Sequence, residues 1–182
     1  MNRTILTPPV LAPDALDEIK AWLAITTARD DAALLALLRA AIDTCEGFTG
    51  QMPLEAIAEE VLPATGGWHS LATAPVRAMT ALEALAQDGT RSALDPTFYL
   101  FDIAADGCGQ VSITGPVSEN RVVVRFAAGI APDWASLPDG LRHGVIRLAT
   151  YHYRERNDGG SERGPPAAVA ALWQPWRRMR LA

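Results

Sequence analysis

DDAALLALLRAAIDTCEGFTG, residues Asp30–Gly50, is the stretch from which the rest of the chain is read. Leu34, Leu38, Ala41, Cys45 and Phe48 recur at alternating steps of four and three residues, flanked by Leu35 and Ile42. This spacing predicts an amphipathic helix whose apolar stripe is wide enough to face a core. Asp30 and Asp31 place carboxylates where the helix dipole favours them, so capping explains that pair. Gly47 and Gly50 supply the stop. Just upstream, Asp14 follows Pro13 and precedes Leu16, Ile19 and Leu23, with Asp17 three residues on, which predicts a capped helix of about three turns.

Outward from this helix the period changes. Between Met52 and Pro132, Pro and Gly punctuate short segments that read as strands, the best being Thr80 to Ala86, Thr97 to Asp102, Gln110 to Thr114 and Arg121 to Ala127. The first two are separated by a loop holding Asp88-Gly89. Helical signals return at Ser136-Leu-Pro-Asp-Gly140, where Ser136 can cap and Pro138 fits the first turn. Leu141, Val145, Ile146, Leu148, Ala149 and Tyr153 then give a broad apolar face running to about Arg156. Asn157 to Gly164 reads as a turn-rich flexible loop, and Pro165-Pro166 opens a short helix, Ala167 to Trp173, that Pro175 ends. The expected class is α+β: a helical bundle formed by both ends of the chain with an inserted antiparallel β meander. Residues 1–52 form an N-terminal helical pair, 53–135 the inserted β-rich region, and 136–182 the C-terminal helices with a basic docking tail, all within one domain.

The 182 residues carry 49% hydrophobic and 20% charged side chains, enough for a sizeable core and far from the profile of a disordered chain. A formal charge of -5 excludes coating nucleic acid through the whole surface. The charge is unevenly spread. From Leu141 onward eight Arg stand against three acids, a balance of roughly +5, and the remainder is correspondingly acidic. Such polarity suits a subunit whose two ends meet different surfaces, although Arg on helix exteriors also serves solvation alone. Cys45 and Cys108 lack neighbours at ligand spacing, so neither a disulfide framework nor a metal site is indicated. The opening residues contain no apolar signal region, and no membrane span is expected.

Templates for chemistry fail one after another. There is no phosphate loop at Gly66-Gly67 or Gly107-Cys-Gly109, no nucleophile elbow and no His-Glu-x-x-His. His143 and His152 lie nine residues apart on one helix, about 900° of rotation, and face opposite ways. His69 sits in a Gly-Trp-His loop without a visible partner. Asp30-Asp31 and Glu59-Glu60 are adjacent pairs that diverge by about 100° on a helix, the second reading as a solvated face. Cys108 reads as structural. What remains is the C-terminal cluster of Trp173, Trp176, Arg177, Arg178 and Arg180. Aromatic platforms with Arg bind single-stranded nucleic acid, but a short cluster on an acidic chain reads equally as interface anchors of a docking tail, or as Trp173 packed inside with only Arg exposed.

Several strings in order resemble the head-to-tail connectors (adaptors) of long-tailed phages, prophages and gene transfer agents. Leu16-Asp-Glu-Ile-Lys-Ala-Trp-Leu23, Asp30 to Ile42 and Cys45-Glu-Gly-Phe-Thr-Gly50 resemble that family's opening helix pair with its aromatic-Thr-Gly turn. Phe126-Ala-Ala-Gly129, Leu137-Pro-Asp-Gly-Leu141 and Val145 to Arg156 resemble its β-to-helix junction and long helix. Val169-Ala-Ala-Leu-Trp-Gln-Pro-Trp-Arg177 resembles its closing segment. The middle region is longer than in the compact helical members and resembles a subgroup with an elaborated β portion. The resemblance implies a structural protein without catalysis, cofactor or metal, forming a ring, commonly twelvefold, that docks on the portal protein and extends the DNA channel toward the tail. The implied partners are the portal, neighbouring copies, a tail-side stopper or tail-terminator protein and the packaged DNA, with no membrane. The implied location is the head-tail junction of a virion or phage-like particle assembled in the bacterial cytoplasm. It further implies portal docking through Trp173, Trp176, Arg177, Arg178 and Arg180. The alternatives are a small nucleic-acid binder using the Trp/Arg tail, or a small enzyme using His69, His143 or His152.

Overall fold

A computed structural model describes residues 3–155 and 164–178. The chain divides into two compact units, each built from separated stretches: Met1–Pro9 with Glu55–Gly129, and Val10–Leu54 with Ile130–Ala182. The α+β class holds, with four α-helices and antiparallel sheets among the described residues.

The second unit is helical. Its α1 spans Pro13–Leu23, α2 Asp31–Thr49, α3 Asp139–Glu155 and α4 Ala167–Trp173. The stripe of α2 faces inward as its spacing requires, with Leu34, Leu38, Ala41, Ile42 and Cys45 buried. They pack with Ala15 and Ile19 of α1, with Leu141, Val145, Leu148 and Ala149 of α3, and with Val169 and Trp173 of α4. Burying each such Leu, Ile or Val is worth about 1.5–3 kcal/mol relative to exposure, so the helices hold one another. Burial pushes the Cys45 thiol, helped by Glu46, up to about 12, which makes it an inert core residue.

Helix ends differ in detail from the sequence reading. Gly50 ends α2 in the left-handed region (φ 70°), its N–H donating to Glu46 O at 2.8 Å. The Asp30 side chain does not cap α2; it accepts a bond from the Tyr153 hydroxyl at 2.8 Å, while Asp31 pairs with Lys20 Nζ at 2.7 Å. The two carboxylates thereby tie the start of α2 to α3 and to α1. Ser136 does not cap α3 either. Its N–H donates to Asp133 Oδ1 at 2.8 Å, and the helix starts after Pro138, whose carbonyl accepts from Leu141 and Arg142. Where the chain leaves and re-enters this unit, Ile130 N–H donates to Met52 O and Ala131 N–H to Pro53 O, at 2.9 and 3.1 Å.

In the first unit, β1 (Arg3–Thr7), β2 (Ala56–Pro63), β4 (Val76–Leu85), β5 (Arg91–Ala93) and β8 (Arg121–Ala128) form one sheet in the order β1-β2-β8-β4-β5. β3 (Trp68–Ser70), β6 (Tyr99–Ile103) and β7 (Gly109–Ile113) form a second in the order β3-β7-β6. All named pairs are antiparallel, but the connectivity is more elaborate than a meander, since β8 inserts between β2 and β4. Its β-branched run suits that central position, and Val122, Val123, Val124 and Phe126 are buried. Residues ahead of the first helix, expected to belong with the helices, pair with β2 as its edge partner.

The Glu59-Glu60 pair is not on a helix. Both lie in β2, both are buried (4% and 5% exposed), and strand alternation sends them to opposite faces. Glu60 accepts from the N–H groups of Ala72 and Thr73 and from the Thr73 hydroxyl, at 2.6–2.8 Å. Glu59 is the cross-strand partner of Arg125 and accepts from its guanidinium at 2.8–2.9 Å and from Arg91 Nη1 at 3.0 Å. Burial pushes the Glu59 carboxyl up, but the bonds and charges of Arg125 and Arg91 outweigh it and hold the group below the usual carboxylate range. A depressed native pKa contributes stability above the unfolded value of about 4.3 that is lost as pH falls through the native value. Glu59→Gln is expected to destabilise by about 1–3 kcal/mol at pH 7, discounted because both Arg are partly solvated. The gap to wild type in urea midpoints should close below about pH 4; an unchanged gap would show that the pair contributes packing alone.

Candidate interaction surface

The C-terminal cluster does not form one exposed patch. Trp173 is fully buried, its Nε1 donating to Leu141 O at 3.3 Å and its ring lying 6.0 Å from that of Phe48. Gly144 is what makes room for it, because a Cβ there would run into the indole. Trp176 is half-buried and packs against the same core. Arg177 is exposed, its guanidinium 5.5 Å above the Phe48 ring. Arg178 is half-buried, its N–H donating to Thr49 O at 2.8 Å. Arg180 lies outside the described residues, as does the turn-rich loop expected over 157–164 apart from Gly164.

Through Arg178 this segment is anchored to the helical unit. The Gln51 side chain donates to Trp176 O, and the turn Gln174–Trp176 follows α4 directly. The signal lay in Gln51 and Gly144, two residues whose importance depends wholly on what comes near them in space. With Trp173 internal and Trp176 half-covered, the segment offers no pair of open aromatic platforms for bases.

The histidines do not converge. His69 Nε2 bonds the Thr65 hydroxyl and carbonyl at 3.0 and 3.1 Å, in the β unit. His143 meets Trp22 edge to face at 5.1 Å, and His152 lies beside Tyr151 at 5.7 Å. Among the described residues no three His, Cys, Asp or Glu side chains come together, and no helix is long and apolar enough to cross a membrane.

The helical unit also carries an open groove of about 500 Å³. Trp22 forms one wall, His143, Arg147, Thr150, Tyr151 and Arg154 of α3 line it, and the start of α4 contributes Ala168 and Val169. Trp22 is 47% exposed. His143, Arg147 and Arg154 follow one another at steps of four and seven residues, so a single face of α3 carries them.

No family model matches this sequence, and no curated protein matches it. Solved structures do. The chain is similar to one in the neck of an empty GTA particle computed with C6 symmetry, with 26% identity and a TM-score of 0.80 over 100% of this chain and 98% of that one. It is similar to one in the virion of a native gene transfer agent (GTA) particle at 29% identity and a TM-score of 0.78, and to one in the neck of a native GTA particle computed with C12 symmetry at 28% and 0.77, with the same coverage. This full-length likeness agrees with the head-to-tail connector resemblance carried by the sequence.

Two measurements check the anchoring. Trp173→Ala should lower the unfolding free energy by about 3–5 kcal/mol in urea titrations, as for other buried large-to-small changes. Gln51→Ala should leave the melting temperature within a few degrees but speed tryptic cleavage after Arg177 and Arg178 severalfold; equal cleavage rates would mean that the side chain does not hold the segment.

Proposed function

We propose that this chain is a structural component of the neck of a virion or phage-like particle, a head-to-tail connector subunit. The observation that carries this reading is the match to GTA neck and virion chains over 100% of this chain and 98% of theirs, at TM-scores of 0.77–0.80 and 26–29% identity. Neck structures computed with C6 and C12 symmetry support repeated copies around an axis, and therefore a ring. A place in a particle neck is a structural one, and His69, His143 and His152 each bond or stack with different neighbours, which favours a non-catalytic role.

In the finer reading, the ring sits beneath the portal and continues the DNA channel toward a tail-side stopper or terminator. The acidic balance of the chain suits a wall along which DNA slides without sticking. The segment around Trp176, Arg177, Arg178 and Arg180 docks on the portal, Trp173 acting from inside the helical unit as the anchor that positions it. The stretch through Arg178, already bonded to Gln51 and Thr49, loses less conformational entropy on docking than a free tail would.

Purified portal rings mixed with this protein test the proposal directly. Stable co-migration and an added ring in electron micrographs are expected, and Arg177→Glu with Arg178→Glu should weaken the complex about tenfold or more, because like charges at an interface repel. A protein that stays free of portal rings at all concentrations would overturn the portal reading, and a double variant that binds as wild type would remove the segment from it.

A further inference from the structure

We propose that the basic groove on α3 receives the acidic first turns of α1 from a neighbouring copy, and so forms the contact that closes the ring. This rests on the connector reading given above. A ring built from one kind of chain closes through a heterologous interface, which requires two different, mutually complementary surfaces on each subunit. The helical unit presents such a pair.

The receiving surface is the groove. Arg147 and Arg154 are exposed, and neither has an ion pair among the described residues; Glu155 is the one carboxylate on the described rim. His143 extends the basic face by one turn, with Trp22 beside it. Thr150 adds an independent sign of an absent partner. It lines the groove, is 3% exposed, and its hydroxyl has no hydrogen-bond partner, not even the carbonyl one turn back that a helical Thr ordinarily finds. Cations and two aromatic rings around an open volume of about 500 Å³, with the unpartnered Thr150 hydroxyl buried beneath them, suit a carboxylate-bearing helix end with some apolar surface.

The inserting surface is the start of α1. Asp14 and Asp17 are exposed, one turn apart, and neither has a hydrogen bond or ion pair among the described residues. Leu11 and Leu16 beside them are only partly buried. Carboxylates at a helix N-terminus are rigidly presented, and their spacing of about 5 Å matches that of His143 and Arg147 on the facing helix.

Charge exchange between two variants tests this. Full-length Arg147→Glu/Arg154→Glu and full-length Asp14→Lys/Asp17→Lys are each expected to lose ring formation, read by mass photometry and negative-stain images at low salt, with self-association weakened about tenfold or more. Mixed in equal amounts, they should regain rings, because every groove then faces an oppositely charged α1; the recovery also shows that both variants are folded. Rings formed by either variant alone at wild-type concentrations, or a mixture that stays dissociated, would overturn the inference while leaving the connector reading intact. A groove variant that assembles normally but loses affinity for single-stranded DNA would assign the groove to nucleic acid and equally overturn it. A wild-type chain that forms no rings, alone or on portal, removes the ring reading and this inference together.

Discussion

The helical unit depends on a single constraint, the mutual burial of two apolar stripes that lie far apart in sequence. Leu34, Leu38, Ala41 and Cys45 on α2 are buried in one core with Leu141, Val145, Leu148 and Ala149 on α3. The polar contact between Tyr153 and Asp30, 123 residues apart, closes one end of the same pairing. Because the partners sit on either side of the β excursion, the chain must return to where it left, and the backbone bonds of Ile130 and Ala131 to Met52 and Pro53 fix that return. A long excursion is tolerated because loop-closure entropy grows only slowly with length, and here both ends are hydrogen-bonded.

The same packing decides what the C-terminus can do. Trp173 is one of the largest fully buried side chains, admitted only because position 144 lacks a Cβ. Once the indole is seated, Trp176, Arg177 and Arg178 emerge at set positions beside Phe48, Gln51 and Thr49. A segment held this way has its backbone placed before any partner arrives.

In the β unit the costly feature is charge, not apolar area. Two neighbouring glutamates are buried, and each is satisfied completely but differently: Glu60 by backbone and hydroxyl donors, Glu59 by two guanidiniums. Leaving either without its donors would cost several kcal/mol, so the register that sets Glu59 opposite Arg125 is strongly specified.

Helix existence was legible in the sequence wherever a three-four apolar rhythm ran for several turns, as in α2 and α3, because that rhythm reflects one-sided burial that any core demands. The strands with β-branched runs, β8 above all, were legible for the same reason. β2 was not, since its Glu59-Glu60 looks like a solvated pair until Arg125, Arg91 and Thr73 are brought to it, and neither were the three-residue strands β3 and β5, too short to show a period. The N-terminal strand was invisible because edge pairing depends on the partner strand more than on its own residues. The sequence alone thus determined that α2, α3 and β8 would hide an apolar face and that the C-terminal end would be basic and aromatic. Only the tertiary structure decided which of those aromatics is internal, which carboxylates are paired and which cations line a groove, because each of these depends on the approach of residues that sequence spacing does not relate.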